Sequence, residues 1–181
     1  QKLVENAKIK KFKWDILDDF QTLWTIIFLY ITLHFLLLCR VLSKNELKKI
    51  DVQALASLSH LSSLDLSHNQ LEEILTLNGL NQLQELFLQG NKINSIQEKA
   101  LASMSNLITL NLNFNELMEL PINVFEDLTN LRNLTLSSNQ LESLAKDVFR
   151  PLSNLVKLHL DSNRLKILPE GISYLKNLQY L

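Results

Sequence analysis

Residues 107–130 read LITLNLNFNELMELPINVFEDLTN, a frame of leucines built around Asn115. Leucine stands at positions one, four, six, eleven and fourteen of this frame, and asparagine stands at position nine. The same frame begins again at four other places: Leu61, Leu83, Leu131 and Leu155. A fixed period of this length indicates that consecutive repeats stack as coils around a shared apolar core. The stretch therefore predicts a solenoid, whose long open surface favours binding over catalysis.

The asparagine of the frame keeps its own regular spacing along the chain. It occurs six times, at intervals of 24, 22, 24, 24 and 24 residues: Asn45, Asn69, Asn91, Asn115, Asn139 and Asn163. A buried amide side chain can both donate a hydrogen bond to the main chain and accept one from it. Six amides in register are therefore predicted to form a structural ladder that pairs the turns of adjacent coils.

The leucines at positions four and six alternate with more polar residues, as in Leu110-Asn111-Leu112. Alternation with period two is typical of a strand with one buried face. Because each repeat supplies one such strand, the strands can satisfy their backbone groups only by pairing with those of neighbouring repeats. The pattern predicts a parallel sheet with one strand per coil, spaced by about 4.8 Å.

The frame LxxLxLxxNxLxxLPxxxFxxLxx resembles the leucine-rich repeat family over roughly residues 37–181. The resemblance implies an α/β fold, a right-handed horseshoe solenoid with a parallel concave β-sheet and an irregular or short-helical convex side. The copies with Phe125 and Phe149 resemble the typical subtype of receptor ectodomains, including Toll-like and Slit-like proteins. The shorter copy at Leu61, and the copy with Ile172 in place of phenylalanine, depart from this subtype. Shorter copies resemble those of intracellular repeat proteins.

Three regions follow from the composition along the chain. Residues 1–22 form a charged N-terminal segment, residues 23–39 an apolar segment, and residues 40–181 a repeat domain truncated in its last repeat. Residues 23–38 carry no formal charge, but a membrane span needs about 20 apolar residues. The apolar segment is therefore either a membrane span or a cap on the N-terminal coil. Lysines and arginines lie on both sides of it and do not orient it.

Composition and motifs exclude several classes of function. The formal net charge is −1, from 18 basic and 19 acidic residues, so the charge balance does not favour nucleic acid. The one cysteine, Cys39, cannot form an intrachain disulfide or a cysteine-based zinc cluster. The chain has no glycine-rich phosphate loop, no G-x-S-x-G and no H-E-x-x-H. We therefore expect no catalytic residues, no cofactor and no metal.

Candidate partner-binding residues are those that the alternation sends to the concave face. Phe87 and Phe114 stand out because large apolar residues at solvent-facing sites often anchor an interface. Polar candidates on the same face follow the strands of several repeats: Asp65, His68, Asn111, Asn113, Thr135, His159 and Asp161. The pairs of histidine and aspartate among them lack a third ligand, so the sequence does not predict a metal site. Asn133 begins the one N-x-[ST] sequon and is a possible glycosylation site.

The sequence thus predicts a non-catalytic protein–protein recognition module that binds a protein ligand or co-receptor through its concave sheet. Its leading form is a fragment of a receptor-type ectodomain, membrane-anchored or extracellular. A cytosolic scaffold or regulatory subunit remains the alternative. An alternative of another class is the repeat region of a larger enzyme whose catalytic domain lies elsewhere.

Overall fold

The computed structural model describes residues 42–181 except 52, 54, 56, 57, 78 and 103. These residues form the predicted stack of coils with a parallel sheet. Their strands, in chain order, are β1 (Ser63–Asp65), β2 (Glu73–Ile74), β3 (Glu85–Phe87), β4 (Ser95–Ile96), β5 (Thr109–Asn111), β6 (Asn133–Thr135) and β7 (Lys157–His159). Each repeat contributes one three-residue strand to a five-stranded parallel sheet in the order β1-β3-β5-β6-β7.

The register of this sheet follows the leucine frame. Ser63 pairs with Glu85, Glu85 with Thr109, Thr109 with Asn133 and Asn133 with Lys157. The central residue of every strand is consequently a leucine that lies over another leucine, and each is at most 1% exposed: Leu64, Leu86, Leu110, Leu134 and Leu158. Burying one such side chain stabilises the fold by about 1.5–3 kcal/mol. A slip of one residue would turn the whole row to solvent, so burial fixes the register.

The return half of each repeat is the part that follows the asparagine at position nine and leads back to the next strand. The core between the sheet and this return half also contains aromatic side chains. Phe125 and Phe149 are both fully buried and occupy equivalent sites in successive coils. Their rings are stacked with centroids 6.2 Å apart and an interplanar angle of 13°. The stack joins two coils through side-chain packing on the side opposite the sheet.

The return half is less uniform than the sheet. β2 and β4 form a separate two-stranded parallel sheet, in which Ile74 pairs with Ile96. The sequence did not predict this sheet. The equivalent residues of the next two coils, Leu120 and Leu144, are half-buried and form no strand. Pro121 follows Leu120 and has no N–H to donate to a ladder there.

Helical structure is sparse in the part of the chain that the structure describes. Gln53 and Leu55 are α-helical, and a 3-10 helix, Glu170–Tyr174, begins after Pro169 and buries Gly171. Within the described residues, no helix is both long enough and apolar enough for a membrane span. The charged segment 1–22 and the apolar segment 23–39 lie outside the described residues, so their assignment stays a prediction.

Candidate functional site

The asparagines at position nine hold the turns after the strands. The N–H of Ile93 donates to Oδ1 of Asn115 at 3.0 Å, while Nδ2 of Asn115 donates to the carbonyls of Leu88 (3.0 Å) and Leu112 (3.1 Å). One amide thus links its own coil to the preceding one. The same three contacts are made by four other asparagines of the column: Asn69, Asn91, Asn139 and Asn163. Asn45 donates to the carbonyl of Ser43 at 3.1 Å. These side chains serve the scaffold and are not free to bind a partner.

The residue before each of these asparagines adopts a left-handed backbone conformation. The φ angles lie between 54° and 70° at Lys44, His68, Gly90, Phe114, Ser138 and Ser162. This conformation turns the chain from the sheet toward the core, and for a residue with a β-carbon it costs roughly 1–2 kcal/mol. Phe114 is the bulkiest residue of the column and is 64% exposed. It therefore lies on the turn after β5, beyond the end of the strand.

Polar side chains on the middle strands of the concave face bind one another. Nδ2 of Asn133 donates to Oγ1 of Thr109 at 3.2 Å, and the Thr135 hydroxyl donates to Oδ1 of Asn111 at 2.8 Å. The same Asn111 oxygen accepts from the N–H of Asn113 at 3.1 Å. A partner at this part of the sheet must therefore compete with existing hydrogen bonds between coils.

The polar pairing continues past the strand ends. Oδ1 of Asn113 accepts from the N–H of Ser137 at 2.8 Å, and the Ser137 hydroxyl donates to the carboxylate of Asp161. These contacts bring three coils together at the side of the sheet where the strands end. They hold Asn113 and Asp161 in fixed orientations. Binding a partner would therefore cost less side-chain conformational entropy at these two residues.

The remaining sequence-predicted residues lie toward the two sides of the sheet. Phe87 is half-buried on β3, in register with Asp65 on one side and Asn111 on the other. The Asp65 carboxylate accepts from the N–H of Ser67 at 2.9 Å. His68 covers Gly90 so closely that a β-carbon on Gly90 would lie 2.6 Å from its Nδ1 atom. The concave face thus has an aromatic and acidic side at β1 and β3.

At the other side of the sheet, His159 is exposed on β7. The Lys157 ammonium on the same strand lies 5.2 Å from the centroid of the Tyr180 ring, in a cation–π contact. This end of the concave face carries an aromatic ring and charges of both signs, Lys157 and Asp161, in contrast to the acidic end at β1.

The possible glycosylation site lies on β6, which is flanked by strands on both sides. Asn133 is half-buried, and its Nδ2 atom already donates to Thr109. A glycan on this atom would replace one of its two amide hydrogens and cover part of the concave sheet. Glycosylation at Asn133 stays a prediction.

A second column of asparagines was missed in the sequence. Asn106, Asn130, Asn154 and Asn177 each precede the first leucine of a frame, and each Nδ2 donates to a carbonyl of the preceding coil at 2.8–2.9 Å. The signal was present as an asparagine just before Leu107, Leu131, Leu155 and Leu178. All four side chains are exposed, so this column is a surface link between coils.

The described residues contain no group of three His, Cys, Asp or Glu side chains that could hold a metal. An ion pair whose members both have shifted pKa values lies on the return half, where Nζ of Lys146 is 2.8 Å from a carboxylate oxygen of Glu170. The hydrogen bond from Lys146, together with its positive charge, lowers the pKa of Glu170 below its ordinary value. Both side chains are well exposed, so this pair is a surface contact between coils rather than a reactive centre.

Comparison with known proteins agrees with this geometry. Residues 41–93, 81–141 and 129–181 match the leucine rich repeat family, so the chain belongs to that family. The family is generally a non-catalytic binding fold whose domains bind protein partners.

Among solved structures, a leucine-rich repeat protein of Leptospira interrogans is 36% identical and superposes with a TM-score of 0.69. The match covers 76% of this chain and 34% of that protein, so this chain spans about a third of the length of its relative. No curated protein sequence matches the chain.

Proposed function

We propose that this chain recognises a protein partner through the concave face of its five-stranded sheet. The observation that carries the proposal is the contrast between the two faces of each strand. The inward residue is leucine in every strand, whereas the outward residues in register are Ser63, Glu85, Thr109, Asn133 and Lys157 in one row. A constant scaffold with a different polar group on each coil suits recognition of an extended partner surface.

The charges along this face favour one orientation of the partner. Asp65 and Glu85 lie at the β1 and β3 side, whereas Lys157 and Asp161 carry opposite charges at the β7 side, with neutral amides and hydroxyls between the two sides. A partner that places basic groups over β1 and β3 would match this charge distribution. Such complementarity raises the association rate and selects the docking register.

We further propose that the solenoid belongs to a receptor-type ectodomain. The repeats of 24 residues with stacked Phe125 and Phe149 support this assignment, because that repeat form resembles receptor ectodomains. The membrane-anchored form also requires that residues 23–39 span a bilayer. We expect residues 1–60 to hold a fused reporter in the membrane fraction; a reporter that stays in the aqueous fraction would favour the cytosolic scaffold.

Site-specific photo-crosslinking in cells tests the concave face. A photoreactive amino acid at His159, exposed on β7, should give a discrete crosslinked protein. The matched control places the same amino acid at Ser173, which is exposed in the 3-10 helix of the return half, away from the sheet. Crosslinks of equal yield at both sites, or at Ser173 alone, would exclude the concave sheet as the main binding surface.

A further inference from the structure

The coil of residues 107–130 exposes three large apolar side chains outside the sheet. Phe114 is 64% exposed, Met118 55% and Ile122 65%, and all three lie after β5 in a stretch of nine residues. We call these three side chains the edge stripe. Four residues of extended chain reach at most about 14 Å, so successive members of the stripe lie within reach of a single partner segment.

The fold does not require apolar residues at these positions. The equivalent sites in the four other coils carry polar side chains or glycine: His68, Gly90, Ser138 and Ser162 for Phe114; Glu72, Asn94, Glu142 and Lys166 for Met118; Thr76, Glu98, Lys146 and Glu170 for Ile122. The same solenoid turn is built in those coils without a large apolar group at these three positions, although the last full coil exposes Ile167 at a neighbouring position. The edge stripe is therefore a property of this one coil and not of the architecture.

Phe114 adds an energetic argument. Its left-handed φ of 55° is unfavourable for a bulky side chain, and the preceding coil has Gly90 at the equivalent position. A glycine or asparagine would relieve backbone strain and remove an exposed ring at once. Strained residues and exposed apolar groups are both typical of ligand-binding surfaces.

The charge around the stripe specifies the partner. The coil of residues 107–130 carries four acidic side chains, Glu116, Glu119, Glu126 and Asp127, and no lysine or arginine. Glu116 and Glu119 flank Met118, and neither makes an ion pair within the described part of the chain. Lys92, at the position of Glu116 in the preceding coil, does not pair with it. The carboxylates of Glu116 and Glu119 are available to cations of a partner.

We propose that the edge stripe docks a protein segment in which an apolar side chain lies next to lysine or arginine residues. The apolar side chain would contact Phe114, Met118 and Ile122, and the cations would meet Glu116 and Glu119. The inference rests on the proposed function, since it assumes that the solenoid binds proteins, and it adds a contact surface beside the concave sheet.

Fluorescence anisotropy with three labelled peptides tests the chemistry of this surface on the full chain. The first peptide alternates lysine with leucine and phenylalanine, the second has glutamate in place of each lysine, and the third has serine in place of each apolar residue. Only the first should bind, and added salt should weaken it because the carboxylates are exposed. Equal binding of the second or third peptide, or no binding of the first, would refute the proposal.

A combined variant, Phe114→Ser with Met118→Glu and Ile122→Lys, tests the location. Each new residue is the one that the next coil has at the equivalent position, Ser138, Glu142 or Lys146, so the coil should still fold. We expect the first peptide to bind about tenfold more weakly or worse, as for loss of a central interface anchor. Unchanged affinity would overturn the assignment to the edge stripe.

Two further variants separate this proposal from its alternatives. Phe114→Asn should raise the unfolding midpoint and weaken peptide binding; weaker binding with a lower midpoint would mean that the ring only supports the fold. Ile167→Ser, at an exposed apolar residue outside both the edge stripe and the concave sheet, should leave peptide binding unchanged. If His159 crosslinks a partner in cells and the stripe variant binds the peptide normally, the proposed function stands and the edge stripe proposal fails.

Discussion

The strand half and the return half of each coil satisfy different physical demands. On the strand half, Leu110 and Leu134 are fully buried, and their strands pair without a shift in register. On the return half of the same coils, Leu120 and Leu144 are only half-buried and belong to no strand. Earlier in the chain, the return half forms a two-stranded sheet instead. The strand half therefore repeats its backbone, whereas the return half repeats only its buried side chains.

Hydrogen bonding explains the difference. A strand inside a sheet must pair its N–H and C=O groups with both neighbours, so every coil has to present the same backbone. The return half meets its backbone needs through short turns, such as the bond from the N–H of Leu128 to the carbonyl of Phe125 at 3.1 Å. It therefore tolerates proline, a 3-10 helix or a short strand, provided that the core side chain remains buried.

The largest expected effect tests whether the irregular half still contributes to stability. Phe125→Ala removes a fully buried ring and its stacking contact with Phe149. We expect a loss of about 3–5 kcal/mol in the free energy of unfolding, from lost burial and the cavity left behind. Denaturant unfolding followed by circular dichroism measures it. A loss below about 1 kcal/mol would mean that the strand half alone holds the coils together.

A smaller effect tests the backbone demand of the strand half. Asn115→Ala leaves the buried N–H of Ile93 without its acceptor, which should cost about 1–3 kcal/mol. The carbonyls of Leu88 and Leu112 each keep a second amide donor, from Asn91 and Asn139. The matched control is Asn130→Ala, an exposed amide of the second column that donates to the carbonyl of Ser105. Water replaces that contact, so the control should cost about 0.5 kcal/mol. Equal losses would show that burial does not distinguish the two columns.

The smallest effect concerns the exposed pair of Lys146 and Glu170, which joins two return halves at the surface by a charged hydrogen bond. Because Lys146 lowers the folded-state pKa of Glu170, the pair stabilises the fold above the ordinary pKa of glutamate, and this contribution disappears as pH falls through the lowered value. The pKa of Lys146 is raised, chiefly by the hydrogen bond to Glu170, so its contribution disappears as pH rises through the raised value. In an NMR titration, Lys146→Ala should return the Glu170 pKa to its ordinary range. An unchanged Glu170 pKa would remove the pair as the cause.

Much of the architecture could be read from spacing, because leucines at positions four and six can be buried together only if strands stack in register. The strands β5, β6 and β7 have their leucines where the frame predicted them. The contacts on the candidate surface could not be predicted from spacing in the same way. Alternation indicates which residues leave the core, but it does not show that Asn111 and Thr135 bind each other across 24 residues of sequence.

The period of the sequence by itself determined the solenoid, its parallel sheet and the column of asparagines. Each of these features is formed by the same residue types at the same positions of every repeat. Only the tertiary structure decided which outward residues are paired with one another, where a second sheet forms, and that Phe114 lies on a strained turn beyond its strand. These features depend on contacts between coils and on backbone angles. The pairs and the second sheet form between residues that are far apart in the sequence, and the backbone angle is not encoded in the leucine pattern, so the sequence of a single repeat does not predict them.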